Sequence, residues 1–166
     1  MLALIGQTAA CGILLALGVL SDIFDGVIAR RLKVATQRLR IWDSRADVVF
    51  WVCVFVGIVL ARPPLLAMLW PAVAIIAGLE IGNHLFSFVK FRREASPHHY
   101  LSKGFGLALW ALCTLAFLAG DDIATMRAAI AVVLFIGVAS QIEAFAITLR
   151  LKAWRCDVAS VLTLKP

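Results

Sequence analysis

Four carboxylates define the chemistry open to this chain. Asp22, Asp25, Asp43 and Asp47 stand at the margins of two segments apolar enough to cross a bilayer. An ionised side chain in that setting costs roughly 2.5 to 3.5 kcal/mol on insertion scales, so the four together would cost on the order of 10 kcal/mol if left in hydrocarbon. They need a polar partner: water, arginine or a metal ion. Asp22, Asp25, Gly26 and Ala29 fall at i, i+3, i+4 and i+7, one face of a helix, and Asp43 and Asp47 share a face at i, i+4. Two helices joined by a short basic loop are antiparallel neighbours, so the two pairs can converge at one end. An oxygen-rich cage of this kind suits a hard cation, with magnesium, manganese and calcium as the candidates and substrate phosphates completing the shell. Without a metal, four close carboxylates would repel one another and some would stay protonated. Zinc does not fit, because His84, His98 and His99 lack ligand spacing. Gly26 and Ala29 carry little bulk beside the acids and would let a ligand approach the backbone, while Arg30 at the helix end can clamp a phosphate.

The elements that position these residues are membrane helices. Of the 166 residues 63% are hydrophobic and 16% charged, with a mean hydropathy of +0.96, against about 25% charged in an average soluble domain. A spanning helix needs about 20 residues, and the apolar stretches predict helices over 2–30, 41–60, 65–89, 104–119 and 125–149. Arg62-Pro63-Pro64 and Ser96-Pro97 read as turns. The longest break, Lys33 to Arg40, is too short for a soluble domain. The expectation is therefore an all-α integral membrane protein, a single domain over 1–166 built as a bundle of five transmembrane helices. No basic residue precedes the first apolar run, so it is read as a helix and not as a cleaved signal. Cys11, Cys53, Cys113 and Cys156 form no C-x-x-C pair and read as small packing residues.

The net charge of +6 could suggest nucleic acid, but its distribution points to a membrane instead. Arg30, Arg31, Lys33, Arg38, Arg40 and Arg45 lie between the first two helices, and Lys90, Arg92, Arg93 and Lys103 between the third and fourth. Arg150, Lys152, Arg155 and Lys165 follow the fifth, leaving Arg62 and Arg127 for the other side. By the positive-inside rule the acidic motif and the C-terminus face the cytoplasm, across the cell (inner) membrane from the N-terminus.

Asp22-Ile23-Phe24-Asp25-Gly26-Val27-Ile28-Ala29-Arg30, followed by Asp43-Ser44-Arg45-Ala46-Asp47, resembles the signature of the CDP-alcohol phosphatidyltransferases. That signature reads D-x-x-D-G-x-x-A-R, eight residues, G, three residues, D, three residues, D, and seven of its eight fixed positions are matched at the same spacing. Leu39 occupies the place of the second glycine, which in the family lies near the nucleotide. The resemblance covers Gly12 to Arg150 without the family's usual first helix of six, which implies a late start codon or a five-helix variant. It implies transfer of a substituted phosphoryl group from a CDP-linked donor, commonly CDP-diacylglycerol, to the hydroxyl of a small alcohol acceptor, with release of CMP. It also implies two divalent ions, Mg2+ or Mn2+, divided among Asp22, Asp25, Asp43 and Asp47, with Asp43 and Asp47 catalytic and Asp47 as general base. Gly26, Ala29, Arg30 and the Leu39 position would face the nucleotide, and the family's habit of pairing implies a homodimer. Two rival readings attach to the same residues. Carboxylates in a bundle also mark the path of a divalent-cation carrier, although such acids would be spread through the membrane whereas these sit at one end. The missing helix and Leu39 would also suit an inactive homologue with a structural role.

Elsewhere, Glu80, Asn83, His84 and Ser87 form a polar stripe on the third helix, set either for interhelix hydrogen bonds or for a substrate-facing wall. Arg92, Arg93, His98, His99 and Lys103, in the loop Lys90 to Lys103, are candidates to hold an anionic acceptor or to set topology. Ser140 and Glu143 neighbour one another on the fifth helix, with Gln141 on an adjacent face. Gly78 and Gly82 form a G-x-x-x-G pattern that hints at close helix contact.

Overall fold

A computed structural model describes residues 7–31, 37–93, 99–119, 121–155 and 158–164. Within these, the side chains of Asp22, Ile23, Ala29, Arg30, 37–41, Asp43 and Ser44 lie outside the description. The described residues form five long helices and no strand: α1 (Thr8–Arg31), α2 (Gln37–Ala61), α3 (Leu65–Phe91), α4 (Tyr100–Ala119) and α5 (Ile123–Arg150), then a single 3-10 turn at Val161–Thr163. Four of them, α1, α3, α4 and α5, are long and apolar enough to cross a membrane by length and composition. Helices are the expected outcome, because a backbone crossing hydrocarbon must satisfy its own N–H and C=O groups. The protein is an all-α membrane bundle.

Local sequence explains where the helices stop. Pro63 and Pro64 have no N–H to give, so α2 ends at Ala61 and the chain reverses, with Leu65 N–H donating to Arg62 O at 3.0 Å and Leu66 N–H to Pro63 O at 3.1 Å. At the other end of α3, Arg92 adopts φ 56, the left-handed conformation usually given to glycine after a helix. Its N–H still donates to Phe88 O at 2.8 Å, and the Ser87 hydroxyl donates to Arg93 O at 2.9 Å. The start of α4 is tied by the Ser102 hydroxyl donating to His99 O at 2.7 Å.

The chain falls into two compact units, Met1–Leu66 with Trp110–Ile123, and Ala67–Leu109 with Ala124–Pro166. In unit 1, Leu15 of α1, Ile58 of α2 and Leu112, Cys113, Ala116 and Phe117 of α4 are buried. Small residues allow the close approach: a Cβ on Gly12 would meet Leu118 Cδ2 at 3.6 Å, and one on Gly57 would meet Phe117 Cζ at 3.6 Å. Arg62 pairs with Asp121 and lies near Phe117 O at 3.5 Å, tying the α2–α3 turn to the end of α4. In unit 2 the core is formed by Met126, Ile130, Val133, Ala144 and Ile147 of α5 with Leu69 of α3. Here Gly137 is packed so tightly that an added Cβ would lie 2.6 Å from Ile76 Cδ1 and 2.8 Å from Phe105 Cε2. The outward positions are largely apolar, Leu14, Val52, Leu85 and Phe135 among them, as a lipid-facing surface requires.

Candidate active site

The acidic motif lies on α1 and α2 of unit 1, and one contact fixes how these helices meet. The Phe50 ring of α2 lies over Gly18 of α1, where a Cβ would come within 3.1 Å of Cε2. The approach of Gly12 and Gly57 to neighbouring residues of α4, Leu118 and Phe117, gives the same antiparallel register. From Gly18, four residues forward along α1 reach Asp22, and three back along α2 from Phe50 reach Asp47. Three more along α1 reach Asp25 and four more back along α2 reach Asp43. The backbone positions of the acids thus stand level in two pairs, 22 with 47 and 25 with 43, at the end where α1 leaves and α2 enters. Gly18, 22 and 25 share one face of α1, and Phe50, 47 and 43 share one face of α2, by the same helical period.

Of the acids, Asp25 is exposed and Asp47 is half-buried with a bonding partner of its own. The side chains of Asp22 and Asp43, and likewise of Ala29, Arg30 and Leu39, fall outside the described ones, while Gly26 is half-buried on α1. Among the described residues no three His, Cys, Asp or Glu side chains gather into a metal-binding group, and two of the four expected ligands are not in that set. The donor chemistry fits a hard divalent cation: carboxylate oxygens only, at an end of the span open to solvent, with no imidazole or thiolate expected among them.

Comparison with known families decides what such a motif belongs to. The model of the family described as CDP-alcohol phosphatidyltransferase matches residues 1–150. The chain belongs to the CDP-alcohol phosphatidyltransferase family. This is a family of phosphotransferases of phospholipid synthesis, which use CDP-alcohol donors and alcohol acceptors. No curated protein and no solved structure matches the chain.

The second polar constellation of this phosphatidyltransferase-family chain lies in unit 2, and it is an interhelix hydrogen-bond network. Asn83 Nδ2 of α3 donates to Gln141 O of α5 at 3.1 Å and to Gln141 Oε1, while Gln141 Nε2 donates to Glu80 Oε2. Asn83 and Gln141 are buried, whereas Glu80 and His84 keep about half of their side chains exposed, at 53% and 42%. His84 Nδ1 lies 3.1 Å from Glu80 O; a carbonyl only accepts, so this nitrogen carries the proton. Of the two roles open to the stripe, interhelix bonding accounts for Asn83 and, through Gln141, for Glu80, whereas Ser87 bonds to Arg93 O at the end of its own helix. Lys90 Nζ donates to Thr148 O at 2.9 Å and Leu149 O at 2.7 Å, covering carbonyls that the end of α5 leaves unbonded.

His99 leaves the group of candidate anion-binding residues. It is buried, and its Nε2 donates to Ser140 O at 3.0 Å with Ser140 Oγ at 3.1 Å and Glu143 Oε2 at 3.9 Å. Arg92, Arg93 and Lys103 remain exposed, and His98 lies outside the described residues. Glu143, whose role the sequence left open, accepts from the Ser160 hydroxyl at 2.7 Å and from Val161 N–H at 3.2 Å. That partner comes from a segment to which the sequence assigned no structure. Its only local signal is the apolar run Val158 to Leu164. The expected close contact at Gly78 and Gly82 is not made among the described residues, since an added Cβ at either would meet no atom of a neighbouring element within 4 Å.

Proposed function

We propose that the chain transfers a substituted phosphoryl group from CDP-diacylglycerol, or a similar CDP-linked lipid, to the hydroxyl of a small alcohol, releasing CMP. Asp22, Asp25, Asp43 and Asp47 would hold two divalent ions, Mg2+ or Mn2+. When bound, such ions neutralise charge on a diphosphate and on the departing CMP. The chain's own contribution is positional and basic. Gly26 and Ala29 leave the α1 backbone approachable beside the acids, Arg30 is set to pair with phosphate oxygen, and Asp47 takes the proton from the acceptor hydroxyl as the new P–O bond forms. The observation that carries this reading is the α1–α2 register, which sets the four acid positions level in two pairs at one end of the helices. That end suits a lipid donor, whose diphosphate sits at headgroup level while its chains stay in hydrocarbon. By the distribution of Lys and Arg it is the cytoplasmic end, at the cell membrane. The open faces of Gly78 and Gly82 give a second copy room to approach, in keeping with a homodimer.

The test is CMP release from labelled CDP-diacylglycerol by the purified chain, offered a panel of neutral and phosphorylated alcohols with Mg2+ or Mn2+. Release with at least one acceptor, abolished by a chelator and restored by added metal, is the expected result. A folded sample that releases no CMP with any acceptor rejects the reading.

A further inference from the structure

The segment after α5 lies beyond the family match, which ends at residue 150, yet it is folded onto unit 2 as a strap. Leu151 and Val158 are buried with Ile147, and Phe91, Val161 and Leu164 pack against them. Tyr100 N–H donates to Ala159 O at 3.0 Å, and Glu143 holds Ser160 and Val161. The strap therefore runs from the end of α5 to the start of α4. It also meets the end of α3, where the Arg93 guanidinium stands 5.1 Å from the centre of the Trp154 ring. The Lys90 bonds to Thr148 O and Leu149 O close the same end from the other side.

What this frame gathers is positive charge. Arg92, Arg93, Lys103, Arg150, Lys152 and Arg155 are all exposed here. The sequence supplies two carboxylates to the same segments, Glu94 and Asp157, both outside the described residues, while Glu143 is committed to the strap. Topology alone asks only that basic residues lie on one side of the membrane; it does not ask for a folded support. Two further details exceed it. Arg92 occupies a left-handed position, φ 56, where glycine would carry no strain. Beside the cations stand rings of the kind that settle at a membrane interface, Trp154 under Arg93 and the exposed Tyr100 near Lys103 at 5.7 Å, together with Leu162, which is 87% exposed on the strap's 3-10 turn.

We propose that this strap-framed end of unit 2 binds the headgroups of anionic phospholipids in the leaflet where α3, α4 and α5 emerge. Charge complementarity selects the occupant: clustered guanidinium and ammonium groups pair with lipid phosphodiesters, and interfacial rings and an exposed leucine meet the acyl boundary. The proposal is independent of the transfer reaction and is read without it.

The full chain is placed in nanodiscs of phosphatidylcholine alone, or of phosphatidylcholine with a minor fraction of phosphatidylglycerol, and its thermal unfolding is followed. Phosphatidylglycerol should raise the unfolding midpoint, because a ligand of the folded state stabilises it, and high salt should shrink the rise. A double variant, Lys152→Ala with Arg155→Ala, should unfold with the wild type in phosphatidylcholine and lose most of the rise. Phosphatidylglycerol retained on the protein is counted by native mass spectrometry as a measure that does not depend on the variant's stability. Removing two cations should weaken retention roughly 25-fold, at about fivefold per charge. Absence of a midpoint rise in the wild type, or equal retention by wild type and variant, overturns the proposal.

Discussion

In unit 2 the buried polar residues Asn83, Ser87, His99, Ser140, Gln141 and Thr148 all find hydrogen bonds inside the unit. In unit 1 the buried atoms Arg62 Nε, Trp110 Nε1 and Thr114 Oγ1 have no partner among the described residues, and of the acidic motif Asp25 is exposed and Asp47 half-buried. Both units contain polar residues that an apolar bundle would not tolerate without a reason. The difference lies in whether the protein supplies that reason itself. Where carboxamides, hydroxyls and carbonyls answer one another, polarity holds helices together. At the acidic motif the proposed function supplies the reason, a ligand held by carboxylates at a helix end, of which Asp25 is exposed. The same distinction separates Glu143, which is consumed by Ser160 and Val161, from Asp25, which is exposed.

The comparison breaks most visibly at Asp47. Asp47→Asn should cut CMP release by about a thousandfold while leaving the unfolding temperature close to that of the wild type. A variant that instead unfolds early would move Asp47 into the architectural group. Asn83→Leu should show the reverse pattern. It strands the Gln141 carboxamide between helices, at about 1 to 2 kcal/mol of stability, and should leave CMP release by the folded fraction within a few fold of normal. Thr114→Val gives the smallest and most discriminating change. It removes a hydroxyl that bonds to nothing among the described residues and keeps the shape, so stability should stay level or rise by up to about 1 kcal/mol. A loss measured in thermal unfolding would show that unit 1 uses that hydroxyl.

The features readable from the sequence are those set by local rules. Apolar length and the Pro63-Pro64 break gave α3 its start at Leu65 and placed most other helix ends within four residues, while α1 begins at Thr8 and the expected start near residue 2 lies outside the described residues. The acid spacing needed only the helical period. What escaped depends on partners far along the chain. The expected start of α4 near 104 falls short of Tyr100 because that first turn is bonded to Ala159, a residue 59 positions away and invisible to a local window. His99 looked like an exposed loop histidine beside its basic neighbours, and it is buried because Ser140 offers it two oxygens. Among the described residues Gly78 and Gly82 carry a contact pattern but no close contact, whereas Gly137, in no such pattern, has a Cβ position only 2.6 Å from Ile76 Cδ1.

The closeness at Gly137 also bears on how relatives can differ. Ile76 and Phe105 already occupy the space where its first side-chain carbon would go, so the three positions share a single allotment of volume. A lineage that acquires alanine at 137 can keep its helix spacing only by accepting something smaller at 76 or 105. These positions should therefore change together across descendants, as one inherited trait spread over α3, α4 and α5.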